Sequence, residues 1–306
     1  MGQLKKIFFL VPPKVHVLDL TGPVQVFYEA REYGSDYELH FISFQEELES
    51  SAGLYFGRIG NYKKVNCSKG DYIFVPGAEM EYLRSVSFKK QKLFLNWLKS
   101  SYEKGAFVCS ICSGAFILAE AGLLNNINCT THWKRVAELK KTYPLVLATE
   151  NILYTHEGNI YTSAGITSGI DLALAIVEEH SGPLFANKIS RELLVYYRRT
   201  SHHSQQSIYL DYRNHINVGV HAVQDWLIEN LHKKCTIDDL ASIANMSVRN
   251  LTRIFKKVTG ITINHYMKQL RLEKAKTLSN DPRLTSQAIA SQVGYADARQ
   301  LRRIKK

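Results

Sequence analysis

No stretch of the 306-residue chain approaches the ~18 uninterrupted apolar residues that a membrane-spanning helix needs. The longest apolar candidate, Gly114–Leu124, is interrupted by Glu120. Near the N-terminus Lys5-Lys6 precedes only the short run Ile7–Val11, too little for a secretory signal. Cysteine is scarce: five residues, at 67, 109, 112, 129 and 235, an odd number that does not form a disulfide framework. The expectation is therefore a cytoplasmic protein with no membrane partner. At 45% hydrophobic and 22% charged residues, a wholly disordered chain is excluded as well. The length argues for two domains, at roughly 100–200 residues each.

Acidic residues run short in one part only. Residues 217–306 hold 16 Lys/Arg against 7 Asp/Glu, whereas residues 1–216 are nearly balanced at 23 against 21. Such asymmetry is a footprint of nucleic-acid or anionic-surface binding in the C-terminal part. A plain solvated basic face is the alternative until an element that reads a groove is found.

The first two hundred residues alternate strand and helix signals. Strands are expected at Lys5–Val11, Tyr37–Ser43, Asp71–Val75 and Ala106–Ile111, with strands and turns over Leu54–Val65. Helices are expected at Leu18–Arg31, Phe88–Lys104, from Gly114 to Ala121, and at Thr167–His180, and a hairpin over Asn151–Thr162. This alternation predicts a three-layer α/β domain around a parallel-rich sheet, over 1–199. Thr200–Ser207 is polar and aperiodic, and a linker is expected over 200–216. Beyond Val218 strand signals vanish, which predicts an all-α domain over 217–306.

That helical part contains a repeat. Leu240–Ala244 resembles Ile289–Val293, and each is followed by a turn and a second helix, Leu251–Lys257 against Leu301–Lys306. Helix, tight turn and second helix is the helix-turn-helix pattern. In the first copy Ser247 is a good N-cap. Leu251, Ile254, Phe255 and Val258 make a buried stripe. Arg249, Thr252, Arg253 and Lys256 follow the same spacing about 200° round the helix. Arginine suits guanine edges and lysine suits phosphates. The candidate DNA-contacting residues are therefore Arg249, Asn250, Thr252, Arg253 and Lys256, joined in the second copy by Arg299, Arg302 and Arg303.

With these motifs on view, residues 217–306 resemble the tandem helix-turn-helix domain of AraC-type transcription regulators. The matching positions include Leu240-Ala241, Ser247–Gly260, Arg271-Leu272, Ala275, Ile289-Ala290 and Val293-Gly294-Tyr295. One departure stands out. Where the first copy has Phe255, the second has Lys305, one residue before the chain ends. The second unit is thus expected to be truncated and DNA binding to rest on one half-site.

The other candidate site is Cys112, where a strand turns into a helix. Orphan N–H groups and the dipole of a helix start favour a thiolate. The Ser113 and Gly77 N–H groups are candidates for an anion-holding pair. Cys109 and Cys112 form a CxxC, but no second pair accompanies it, and no metal or cofactor is expected.

Residues 1–199 resemble the DJ-1/PfpI fold through Leu18–Pro23, Val75-Pro76-Gly77, Cys112-Ser113-Gly114, Ala119–Leu124 and Thr130–Trp133. The resemblance implies a flavodoxin-like domain in which an acidic residue, here Asp19, approaches the elbow cysteine. Members with a protease-like triad carry His after that cysteine. Ser113 stands there, which weakens a hydrolase reading. His132 is the remaining base candidate, with helix capping as its other role. The pocket set is Asp19, Gly77, Cys112, Ser113 and His132.

Joined in this order, the halves resemble the GlxA-type branch of AraC-like regulators, with class I glutamine amidotransferase-like relatives. The resemblance implies a sensor of a small nitrogenous metabolite that dimerises through its N-terminal domain and reads promoter DNA, with RNA polymerase as a further partner. Two other readings compete. One is a cysteine-dependent enzyme, isonitrile hydratase- or glyoxalase-like; the other is a redox sensor working through Cys112. The expectation is a regulator and not an enzyme.

Overall fold

Short apolar runs, buried on both faces of a sheet, build the first half of the molecule. The computed structural model describes residues 4–195, 208, 212, 213, 215–279 and 284–305, the side chains of 277 and 302–305 excepted. The chain divides into two compact units, 1–205 and 206–306.

Unit one begins with β1 (Lys5–Leu10), α1 (Val17–Glu32), β2 (Tyr37–Ser43), β3 (Leu48–Glu49), β4 (Tyr55–Phe56) and β5 (Gly60–Asn61). It continues through β6 (Tyr72–Val75), α2 (Met80–Arg84), α3 (Val86–Lys89), α4 (Lys92–Glu103), β7 (Phe107–Ile111) and α5 (Gly114–Glu120). The remainder is β8 (Asn128–Cys129), α6 (Val136–Thr142), β9 (Leu147–Ala148), β10 (Tyr154–Glu157), β11 (Ile160–Ser163), α7 (Thr167–Ser181) and α8 (Pro183–Glu192).

The main sheet runs β10-β11-β7-β6-β1-β2-β5, parallel except for the β10–β11 hairpin. Its register sets Ile7 beside Leu39 and Tyr72, and Ile73 beside Val108. A side-chain period of two sends Phe8, Leu10, Ile73, Val75 and Val108 to one face, against α4, α5 and α6. Ile7, Phe9, Tyr72, Phe74 and Cys109 go to the other, against α1, α7 and α8. The fold is the expected three-layer α/β arrangement. Strand order reverses between β1 and β6, so the loops after these strands part and leave a crevice at their carboxyl ends.

Several local expectations change. The helix expected over Phe88–Lys104 is two helices, α3 and α4, divided at Lys90-Gln91. β4 and β5 fall in the stretch Leu54–Val65 expected to hold strands and turns, while β3 and the β8–β9 pair, two residues per strand, carry no sequence signal. Much of the 200–216 stretch expected as a linker lies outside the described residues. Of the rest, Ile208 is buried in the core of unit two, and Arg213 donates to Asp225 at 2.6 Å.

Unit two holds α9 (Val218–Glu229), α10 (Ile237–Ile243), α11 (Val248–Thr259), α12 (Ile263–Leu278), α13 (Ser286–Gln292) and α14 (Ala298–Lys305). Thr236 and Asp239 close a capping box on α10. Ser247 accepts from the Asn250 N–H to start α11, and Gly260, at φ +79°, ends it. Leu251 and Phe255 are fully buried with Leu240, Tyr266 and Leu270. A smaller core of Ala275, Ile289, Ala290, Val293 and Leu301 holds α13 and α14. The expectation about Lys305 concerns a side chain outside the described residues.

Candidate functional site

The site in unit one forms at the β7–α5 turn. Cys112 takes φ +56°, a left-handed conformation that a side chain rarely adopts, so the turn is strained. Two glycines permit it. A Cβ on Gly114 would lie 2.1 Å from the Val75 carbonyl oxygen. One on Gly165, itself at φ +103°, would lie 2.3 Å from the Cys112 Cβ. Val75 of β6 is thereby pressed against Gly114, and Gly165, just after β11, against the cysteine.

Asp19, on the first turn of α1, is 1% exposed. Its Oδ1 accepts the Ile166 N–H at 2.6 Å, across 147 residues of sequence. Its Oδ2 is buried, and the Gly77 N–H and the Cys112 thiol approach it without reaching full hydrogen-bond geometry. Burial raises the Asp19 pKa against the opposing pull of the Ile166 N–H and of His16. Ser113 ties the turn to the loop after β6: its Oγ donates to the Ala78 carbonyl at 2.8 Å and accepts the Ala78 N–H at 3.0 Å.

A cavity of about 750 Å³ opens above these groups. Asp19, Cys112, Ser113 and His132 line it, and Gly77 lies directly behind, with no room for a Cβ beside the Asp19 carboxylate. All five sequence-expected residues therefore converge at the carboxyl ends of the strands. His132 takes the capping role anticipated for it, its Nδ1 accepting the Lys134 N–H at 3.3 Å, and it also lines the cavity. Burial, with Lys134 and Arg135 nearby, lowers its pKa.

One expectation changes. Burial, and then the Asp19 carboxylate, push the Cys112 thiol pKa far above its ordinary range, against the thiolate expected at a helix start. The Gly77 N–H lies near the Asp19 carboxylate. Sequence reasoning missed much of the rest of the lining, including His16, Glu79, Arg84, Lys134, Arg135 and Ile166. His16 alone gave a usable signal, lying just before the first expected helix in the segment that follows the expected strand Lys5–Val11.

The site in unit two is the outer face of α11. Arg249, Thr252, Arg253 and Lys256 are exposed, and Asn250 is half-buried. The Arg253 guanidinium donates to the Asn250 side-chain Oδ1 at 2.9 Å, aligning the two side chains. Thr252 instead bonds back to the Val248 carbonyl, so its hydroxyl proton is used within the helix. Arg299 is exposed on α14, whereas the Arg302 and Arg303 side chains lie outside the described residues. All five cysteines are free, and no helix among the described residues is long and apolar enough to cross a membrane.

The family model of DJ-1/PfpI matches residues 5–179, and that of a helix-turn-helix domain matches residues 240–306. The chain is 27% identical over 202 residues to the HTH-type transcriptional regulator GbdR of Pseudomonas aeruginosa, across 66% of this chain and 54% of GbdR. It therefore spans about half the length of that relative. To the regulator CdhR of the same organism it is 26% identical over 94% of this chain and 84% of CdhR. To isonitrile hydratase of Pseudomonas putida it is 30% identical over 61% of this chain and 77% of that enzyme. A solved AraC family transcriptional regulator from Pseudomonas putida superposes with a TM-score of 0.53 at 18% identity, covering 62% of this chain and 99% of that one. The strained cysteine turn at the sheet end and the capped helix pair behind it thus fall within two matched families: the chain belongs to the DJ-1/PfpI family and carries an AraC-type helix-turn-helix domain after it.

Proposed function

We propose that this protein is a ligand-responsive transcription regulator. The carrying observation is the pairing in one chain of a sheet-end cavity with a helix-turn-helix whose outer face presents Arg249, Asn250, Arg253 and Lys256. The match to CdhR across 94% of the chain supports the same pairing. In this reading α11 enters the major groove, its arginines read base edges and Lys256 holds phosphate. Arg299, Arg302 and Arg303 are the corresponding candidates of the second unit, with the first half-site carrying most of the binding. The cavity binds a small effector, a nitrogenous metabolite, against Asp19, Cys112, Ser113 and His132. Unit one dimerises the protein, and RNA polymerase is a further partner. Selection of duplexes from a random pool by the full chain, followed by anisotropy titration, tests the reading. A consensus bound far above random DNA is the expected result; equal affinity for all duplexes would overturn it.

The likeness to isonitrile hydratase supports a second reading, a cysteine-dependent enzyme. The raised thiol pKa of Cys112 weighs against it. Isonitrile or 2-oxoaldehyde turnover abolished by Cys112→Ser would favour this second reading over sensing.

A further inference from the structure

One wall of the cavity is built from cations that the sequence motifs did not anticipate. Arg84 ends α2, and Lys134 and Arg135 stand in the turn before α6; all three line the cavity. Among the described residues, the only carboxylate paired with either guanidinium is that of Glu138. Arg84 donates through Nε to Glu138 Oε1 at 2.8 Å, and Arg135 donates to Oε2 at 3.1 Å. One carboxylate thus sits between two guanidiniums, each taking one of its oxygens. Two arginines share one negative charge, and Lys134, whose ammonium lies 5.2 Å from the Trp133 ring centre, adds a further positive charge to this wall. His132 contributes a donor: with Nδ1 accepting the Lys134 N–H and the ring neutral, Nε2 carries the proton.

From this arrangement we infer that Arg84 and Arg135 are the anion-binding end of the cavity and take the carboxylate of a small organic acid in competition with Glu138. The inference rests on the reading of the cavity as an effector site and names the chemistry of its ligand. Guanidinium geometry matches a planar carboxylate, and Glu138 already supplies one to both arginines from beside the cavity. Elsewhere the lining carries carboxylates of its own, Asp19, Glu79 and Glu81. The site therefore suits a monocarboxylate and repels a second acid group. Glu138, 26% exposed and shared between the arginines, is the internal competitor that ligand binding displaces.

The test uses the full chain and calorimetric titration with straight-chain C2–C6 monocarboxylates, with and without an amino group, each set beside its primary amide. Dicarboxylates and inorganic phosphate complete the panel. Acids should bind saturably and their amides about tenfold or more weaker, since charge-assisted pairing is lost. The Arg84→Gln/Arg135→Gln double variant should lose binding to a similar extent while keeping its melting temperature. Glu138→Gln should bind the acids several-fold tighter, because both guanidiniums lose their competitor. A merely structural role for Glu138 would weaken binding instead, and that result would overturn the inference. So would amides binding as well as acids, phosphate binding in place of acids, or no binding by any member of the panel. The effector reading itself is decided separately, by whether a neutral metabolite fraction alters DNA affinity. Such a response without carboxylate binding would leave the regulator intact and sink only the arginine assignment.

Discussion

Replacing Arg253 by alanine separates base reading from simple charge attraction. The side chain is exposed on α11, and its described hydrogen bond runs to the neighbouring Asn250, not into the core. Truncation should therefore change folding stability by no more than about 0.5 kcal/mol. A guanidinium placed on a guanine edge contributes about 1–3 kcal/mol of discrimination, a loss of roughly 5- to 150-fold in specific affinity. Asn250 would lose its aligned partner, so the larger end of that range is expected. Anisotropy titration against a selected duplex and a random duplex, at several salt concentrations, makes the measurement. Arg253→Ala should lower affinity for the selected sequence and leave the random one nearly unchanged. Lys256→Ala supplies the contrast: it should weaken both alike and reduce the salt slope by about one. Equal losses on both duplexes for Arg253→Ala would refute the argument that this face reads sequence.

Three further outcomes follow from burial. Phe255 is fully enclosed, with its ring 5.7 Å from that of Tyr266, so Phe255→Ala should cost about 3–5 kcal/mol. Calorimetry should show unit two melting early or already unfolded while the unit-one transition is unchanged, because the two cores share no residues. His180 lies between the Tyr37 and Tyr72 hydroxyls, and burial, aided by Lys5, pulls its pKa down to about 4. The folded pKa is depressed, so the stability it contributes is present above the ordinary value of 6.5 and is lost as pH falls toward 4. Urea unfolding should show unit one weakening through that window, and His180→Gln should flatten the slope; an unchanged slope would contradict the burial argument. Cys112, with its thiol held neutral, should alkylate with iodoacetamide at pH 7–8 more slowly than free glutathione, and Asp19→Asn should speed the reaction. A rate above that of glutathione in the unmodified chain would show a thiolate and reverse the assignment.

What the sequence determined by itself was whatever short-range periodicity and capping encode. Continuous apolar runs in Lys5–Leu10 and Tyr72–Val75 specified buried strands, because both faces of a parallel sheet are covered by helices. The stripe Leu251-Phe255 and the cap at Ser247 specified α11 and, by subtraction, the exposed face of Arg249, Arg253 and Lys256. Gly77, Cys112 and Ser113 were legible in turns at strand ends, whereas Asp19 and His132 were legible through the DJ-1/PfpI resemblance. Only the tertiary structure decided the state of those groups. Burial, and then the Asp19 carboxylate arriving from another element, raise the Cys112 thiol pKa. The Ile166 N–H that holds Asp19 lies 147 residues away. The cationic wall was equally hidden: Arg84 and Glu138 are 54 residues apart, on α2 and α6, and neither lies in a motif. Charge pairing at that separation leaves no periodic trace in the chain, since it depends on which loops the sheet brings to its carboxyl ends.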